Sequence, residues 1–463
     1  MQIIKLNSFI AALLLTAGVS GLPAQEPEDG VVIRSFFQEA LTSYEAYHNL
    51  EWLCKNTKGR ICGRPQAQAA VEFTRRVMEG MNLDSVWLQP VMVKSWVRGE
   101  PEQVRILSEK YGTRELTACA LGWSAGTGAS GLSGPVVEVR DREQWKKLTE
   151  ADVRGKIVFF NQSFDPANLS AFSGYGLVYW QRSDGPSEAS ALGATGCLVR
   201  SMNPETDDYP HTGITRYADD VTPIPALALS TRSADVLSAR LAQDPELKVF
   251  IRTTGKEGPE VLSYNVIGEI RGSEFPDEFI IVGGHLDAWD ISEGAHDDGG
   301  GCMQSIEMLR LFLKSGIKPH HTLRAVMFMD EEVAQRGGQA YAREAAAQGG
   351  KHLAALESDR GVFRPRALGV AGTPDQMKMT EAWKLLFKPY GIDLVNGGGG
   401  SDIGPLKGYY PDIIFMGLIP EDARYFKYHH SPSDTFEQVD LREMQLGSAG
   451  IASLVYLVDK YGL

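Results

Sequence analysis

Residues 283–301 read GGHLDAWDISEGAHDDGGG, which places His285, Asp287, Asp297 and Asp298 among glycines directly after an apolar run. Groups of the same kind follow other apolar runs: Asp330, Glu331 and Glu332 end LRAVMFMDEE, Asp359 follows HLAALES, and His429 and His430 lie in YHHSPSDTFE, downstream of PDIIFMGL. Carboxylates crowded together repel one another and take up protons unless cations hold them. Imidazole and carboxylate without thiolate suit zinc, manganese or cobalt, and one histidine per ion with a shared carboxylate builds a two-metal hydrolytic centre. Adjacent residues in an extended or turning chain point different ways, so of Glu331 and Glu332 one can bind an ion while its neighbour moves a proton.

Such a centre needs a scaffold that brings distant segments to one edge. From about residue 262 strand-like runs (279–284, 323–329, 352–358, 411–418) alternate with helix-like ones (301–316, 377–391), which predicts an α/β fold with a mostly parallel or mixed central sheet flanked by helices. Ligands of open α/β sheets bind beyond the carboxyl ends of the strands, where these ionisable groups fall. In the first helical run Met303, Ile306, Leu309 and Leu313 form one apolar stripe. Upstream, 34–85 has helical spacing and 86–100 strand character, while 116–253 breaks into short β-rich runs separated by Gly, Pro, Ser and Asp. The expected organisation is therefore a divided domain, 25–115 with 254–463, interrupted by a smaller β-rich insert, 116–253.

Lys5, the apolar FIAALLLTAGV and the small residues of GLPA give residues 1–24 the three parts of a signal peptide, too short to span a bilayer. The mature chain is expected to be exported, periplasmic or extracellular, with no membrane span. A formal charge of -13 with no basic block excludes a nucleic-acid partner. Cys54, Cys62, Cys119, Cys197 and Cys302 include no CxxC pair; Cys54 and Cys62 either bridge or remain buried thiols.

GGHLDAWD, GAHDDGGG, MDEE, LESDRG and YHHSPSDT resemble, in order and spacing, the five metal-site motifs of the co-catalytic zinc exopeptidases, in the branch that includes carboxypeptidase Q. Residues 62–99 are similar to that branch's N-terminal segment, and 116–253 to a protease-associated domain. The resemblance implies two zinc ions, with manganese or cobalt as substitutes. His285 and Asp359 would hold one and Glu332 and His430 the other, with Asp297 between them. Glu331 would be the general base, and Asp287 would orient His285. Of the histidine doublet, His430 takes the family's ligand position. A small peptide is the implied substrate, with Asp402 and Tyr428 as candidate contacts, and a homodimer is compatible with the pattern. DEEVAQRGGQAY (330–341) departs from the usual family pattern through Arg336 and the two glycines after it. Two other readings share parts of the pattern: a receptor-like binding protein on the same scaffold, and a glutaminyl cyclase relative with a single metal.

Overall fold

The computed structural model describes residues 27–165 and 167–462; the signal-peptide segment lies outside the described residues. The central sheet has eight strands: β1 (Ser85–Val93), β2 (Val261–Ile270), β3 (Phe275–His285), β4 (His321–Phe328), β5 (Lys351–Glu357), β6 (Pro365–Ala371), β7 (Asp393–Asn396) and β8 (Ile414–Pro420), in the order β1-β2-β4-β3-β5-β8-β6-β7. Its middle is parallel, β4-β3-β5-β8, with His285 opposite Phe328 and Gly283 opposite Glu357. The pairs β1/β2, β2/β4 and β6/β8 are antiparallel, so the sheet is mixed.

Every residue of β4 is buried, as is every residue of β3 from Phe279 on, because helices cover both faces. Ile280, Val282, Leu323 and Ala325 pack with helices Gly300–Ser315 and Leu441–Tyr461. Ile281, Val326 and Phe328 face the other way, onto Tyr341 and Ala342 of helix Arg336–Gln348. Helix Gly300–Ser315 differs from its predicted pattern: Gly300 to Phe312 are buried all round, and Leu313, assigned to the apolar stripe, is 38% exposed. The cause is its position among the sheet and helices Pro27–Thr42, Glu45–Asn56 and Leu441–Tyr461.

The second sheet, also eight-stranded, begins at Gln103, so residues 103–116 belong to it and not to the first unit as the sequence pattern suggests. It is richer in helix than expected. Val158 and Phe160 pack on Trp145 and Ala189 on one face, and Ile157 and Phe159 on Ala234 and Leu237 on the other. All five cysteines are buried free thiols, Cys54 and Cys62 included. Among the described residues no helix is long and apolar enough to cross a membrane.

Candidate metal centre

The parallel core delivers the ionisable groups to one edge. His285 is the last residue of β3, Asp330 to Glu332 follow β4, and Asp359 follows β5. His430 lies beyond β8, just past the short helix Tyr425–Tyr428. Asp297 sits in the turn leading into helix Gly300–Ser315. Its neighbour Asp298 accepts from the backbone N–H of Gly301 and from that of His285, each at 3.0 Å, pinning the helix start to the strand end. A side chain on Gly284 or Gly301 would collide with that carboxylate, so the glycines of GGH and DDGGG permit this approach.

The side chains form two groups that share Asp297. On one side His285 Nε2 is 3.2 Å from Asp297 Oδ1 and 3.6 Å from Asp359 Oδ1. On the other, His430 Nε2 is 3.4 Å from Asp297 Oδ2 and 3.0 Å from Glu332 Oε2. His429 stacks on His430 with its own Nε2 3.9 Å from Asp297 Oδ2, so His430 is the better-placed member of the doublet. The adjacent glutamates diverge: Glu332 is buried, its Oε2 accepting from Trp289 Nε1 at 2.5 Å, while Glu331 is half-buried, and both reach the cleft. Asp330 and His430 both adopt left-handed φ, 75° and 61°, strain of the kind that persists where surrounding contacts over-determine a functional turn.

The electrostatics call for cations. Burial pushes the Asp359 carboxyl up to about 6, and burial with the Asp297 charge pushes Glu332 well above the carboxylate range. Asp297 goes the other way: despite burial, the hydrogen bond to His285 and the proximity of His429 and His430 hold it low. Asp297 Oδ2 and Glu332 Oε1 are buried without a hydrogen-bond donor. Buried carboxyl oxygens without donors, set against two imidazole Nε2 atoms, are the donor set of divalent zinc.

The model of peptidase family M28 matches residues 265–455, which hold every one of these groups. Carboxypeptidase Q of Bos taurus is 31% identical over 415 residues, 89% of this chain and 85% of that protein. The chain belongs to peptidase family M28. It falls in the carboxypeptidase Q branch and is a metallopeptidase of the exopeptidase kind. The crystal structure of a peptidase M28 precursor from Shewanella amazonensis SB2B superposes with a TM-score of 0.89 at 30% identity, covering 94% of this chain and 98% of that one. A zinc aminopeptidase from Bacillus subtilis shares the fold, with a TM-score of 0.63 at 20% identity over 90% and 95% of the two chains.

Within this M28 peptidase some sequence expectations need correction. Asp287, expected to orient His285 by its carboxylate, does so by its backbone carbonyl, which faces His285 Nδ1 at 2.9 Å; the nearer carboxylate oxygen is 3.9 Å away. The carboxylate accepts from the N–H groups of Asp330 and Glu331, at 2.9 and 3.2 Å, and so shapes the turn that aims Glu331. Tyr428 packs on His296 and Phe363, away from the cleft; Tyr425, one helical turn earlier, lines it, with its hydroxyl 3.4 Å from Asp359 Oδ1. Asp402 is 1% exposed and does not line the cleft, whereas Ser401 does; Gly398 to Gly400 line an adjoining cavity that shares Phe172, Asp359 and Ser401 with it. Arg336 is engaged by Glu260 at 2.9 Å, outside the cleft, and Gly337 and Gly338 let their helix close on Met329 and Asp402.

Several partners of the site have no signal in the sequence pattern. Trp289 stands inside GGHLDAWD, yet its spacing gives no sign that it reaches Glu332. Asp434 accepts from the N–H groups of His296 and Asp297, at 2.9 and 3.2 Å, fixing the shared carboxylate's backbone. The cleft, about 720 Å³, has a wall from the second sheet's unit: Phe172, Tyr175, Tyr179, Arg182, Ile214 and Arg216. No periodicity links those residues to a site so distant in the chain.

Proposed function

We propose that this M28 peptidase is an exported dinuclear zinc exopeptidase that hydrolyses dipeptides or short peptides, with Glu331 as general base. The observation that carries the reading is Asp297, whose two oxygens stand 3.2 Å from His285 Nε2 and 3.4 Å from His430 Nε2, a carboxylate shared between two ligand sets. His285 and Asp359 would hold one ion, Glu332 and His430 the other, and Asp297 both. Bound there, the ions would supply Lewis acidity toward the peptide carbonyl and make water acidic enough to lose a proton near neutral pH. Glu331, held over the cleft by the Asp287-anchored turn, takes the proton from the attacking water and delivers it to the departing amine. Tyr425 steadies Asp359 through its hydroxyl.

A walled cleft of about 720 Å³ suits a short, flexible ligand and excludes a folded protein, which favours small peptides. Export rests on the pattern of residues 1–24 alone. The receptor-like reading is disfavoured because both ligand sets are complete, and the single-metal cyclase reading because the second set, Glu332 with His430, is as close-knit as the first. The test is zinc analysis of the purified protein with a dipeptide panel, before and after a chelator. The expected result is about two zinc equivalents, with peptide-bond cleavage lost on chelation and restored by zinc. Cleavage that survives complete metal removal would overturn the proposal, and cyclisation of N-terminal Gln with one zinc would replace it.

A further inference from the structure

The second sheet's unit does more than wall the cleft. Its segment His211–Gly213 lies along the loop that carries the histidine doublet. The Thr212 N–H donates to the His430 carbonyl at 2.9 Å, and His211 Nδ1 is 2.7 Å from the His429 carbonyl oxygen. The Thr212 carbonyl oxygen in turn faces His430 Nδ1 at 3.2 Å. An imidazole that offers Nε2 to a metal must keep its proton on Nδ1 and needs an acceptor there, the outer partner that fixes tautomer and ring orientation in metal sites. Thr212 supplies that acceptor across the interface between the two units.

Arg182 holds the arrangement in place. Its guanidinium is buried, with Nη1 donating to the Thr212 carbonyl oxygen at 3.1 Å and Nη2 to the Tyr175 hydroxyl at 2.7 Å. Nη1 also lies 2.9 Å from His430 Nδ1, but a guanidinium only donates, so in the tautomer that leaves Nε2 free for a metal this contact is no hydrogen bond and Arg182 reaches the ring only through the Thr212 carbonyl. Its charge lies over the Tyr179 ring, 5.2 Å from the centroid, and its Nε, buried, has no acceptor, a costly placement for a cation. The chain is shaped around it: Gly213 has φ 137°, and a side chain at that position would collide with the guanidinium. From the far side, the Thr212 hydroxyl is tied to the Ala120 carbonyl at 2.9 Å.

We infer that Arg182, acting through the Thr212 carbonyl, is a positioning residue for His430, so that the unit built on the second sheet completes the ligand set on the His430 side and leaves the His285 side untouched. This rests on the dinuclear reading, and the experiment separates the two. Zinc affinity is measured by competition with a chromophoric chelator for the parent, Arg182→Met, Arg182→Lys and Tyr175→Phe, and the visible spectrum of the cobalt-substituted forms is recorded. The parent is expected to bind two ions. Arg182→Met should keep one at parental affinity and bind the other about 10- to 100-fold more weakly, with the cobalt bands of that site altered. Arg182→Lys should recover part of the loss, and Tyr175→Phe, which only loosens the guanidinium, should show a smaller change at the same site. Two ions bound by Arg182→Met at parental affinity with an unchanged spectrum would overturn the inference, even if the variant melted earlier. Should Arg182→Met not fold, Tyr175→Phe decides alone: parental affinity and spectrum overturn the inference. A parent that binds fewer than two ions instead refutes the dinuclear reading.

Discussion

The two sides of Asp297 are built differently. The His285 side is made from strand ends: His285 closes β3, Asp359 follows β5 by two residues, and the sheet registers one against the other. The His430 side takes Glu332 from the turn after β4 and its histidine from a loop. Its histidine stands in a left-handed turn, its glutamate is steadied by Trp289, and its outer partners come from the second sheet's unit. A sheet edge orients a ligand with little help, because the backbone hydrogen bonds that form the core also place the side chain. A loop ligand needs separate contacts at every degree of freedom, and those contacts are where the second side is vulnerable.

The comparison breaks most completely at the residue common to both sides. Asp297→Ala should abolish turnover and zinc binding on both sides together, read by metal analysis; two ions still bound would show that the carboxylate is not shared. Glu331→Gln should leave both sides loaded while lowering kcat by about 10²- to 10⁴-fold, read by steady-state kinetics beside zinc content. Metal loss in that variant would assign Glu331 to a ligand set.

Trp289→Phe removes the donor to Glu332 and should weaken only the His430 side, by about 10- to 100-fold in zinc affinity. Equal weakening of both sides would erase the distinction. The smallest effect is expected from Tyr425→Phe, which withdraws one long hydrogen bond from Asp359. It should cost the His285 side about 2- to 10-fold in affinity, the range of one long, modest hydrogen bond.

The same contrast explains what the sequence makes legible. His285, Glu331, Glu332 and Asp359 each follow a continuous apolar run, and the rule that parallel strands present ligands at their carboxyl ends is enough to bring them together. Helix Gly300–Ser315 is legible as a helix but not as one buried on nearly all sides, since its surroundings come from both ends of the chain. Tyr428 adjoins the histidines in sequence and so draws attention ahead of Tyr425, while the short helix turns its ring onto His296. Asp402 stands in a glycine-rich stretch, yet its N–H is tied to Glu357 Oε2 at 3.0 Å and its side chain is buried. Arg182 and Thr212 carry no local pattern: their role exists only through the docking of one sheet's unit on the other.

Anomalous diffraction at the zinc edge, from crystals of the zinc-loaded protein, tests the shared carboxylate most directly. Two peaks about 3.5–4 Å apart are predicted, one beside His285 and Asp359, the other beside His430 and Glu332, with Asp297 reaching both. A single peak, or two peaks of which one lies beyond the reach of Asp297, would contradict the account.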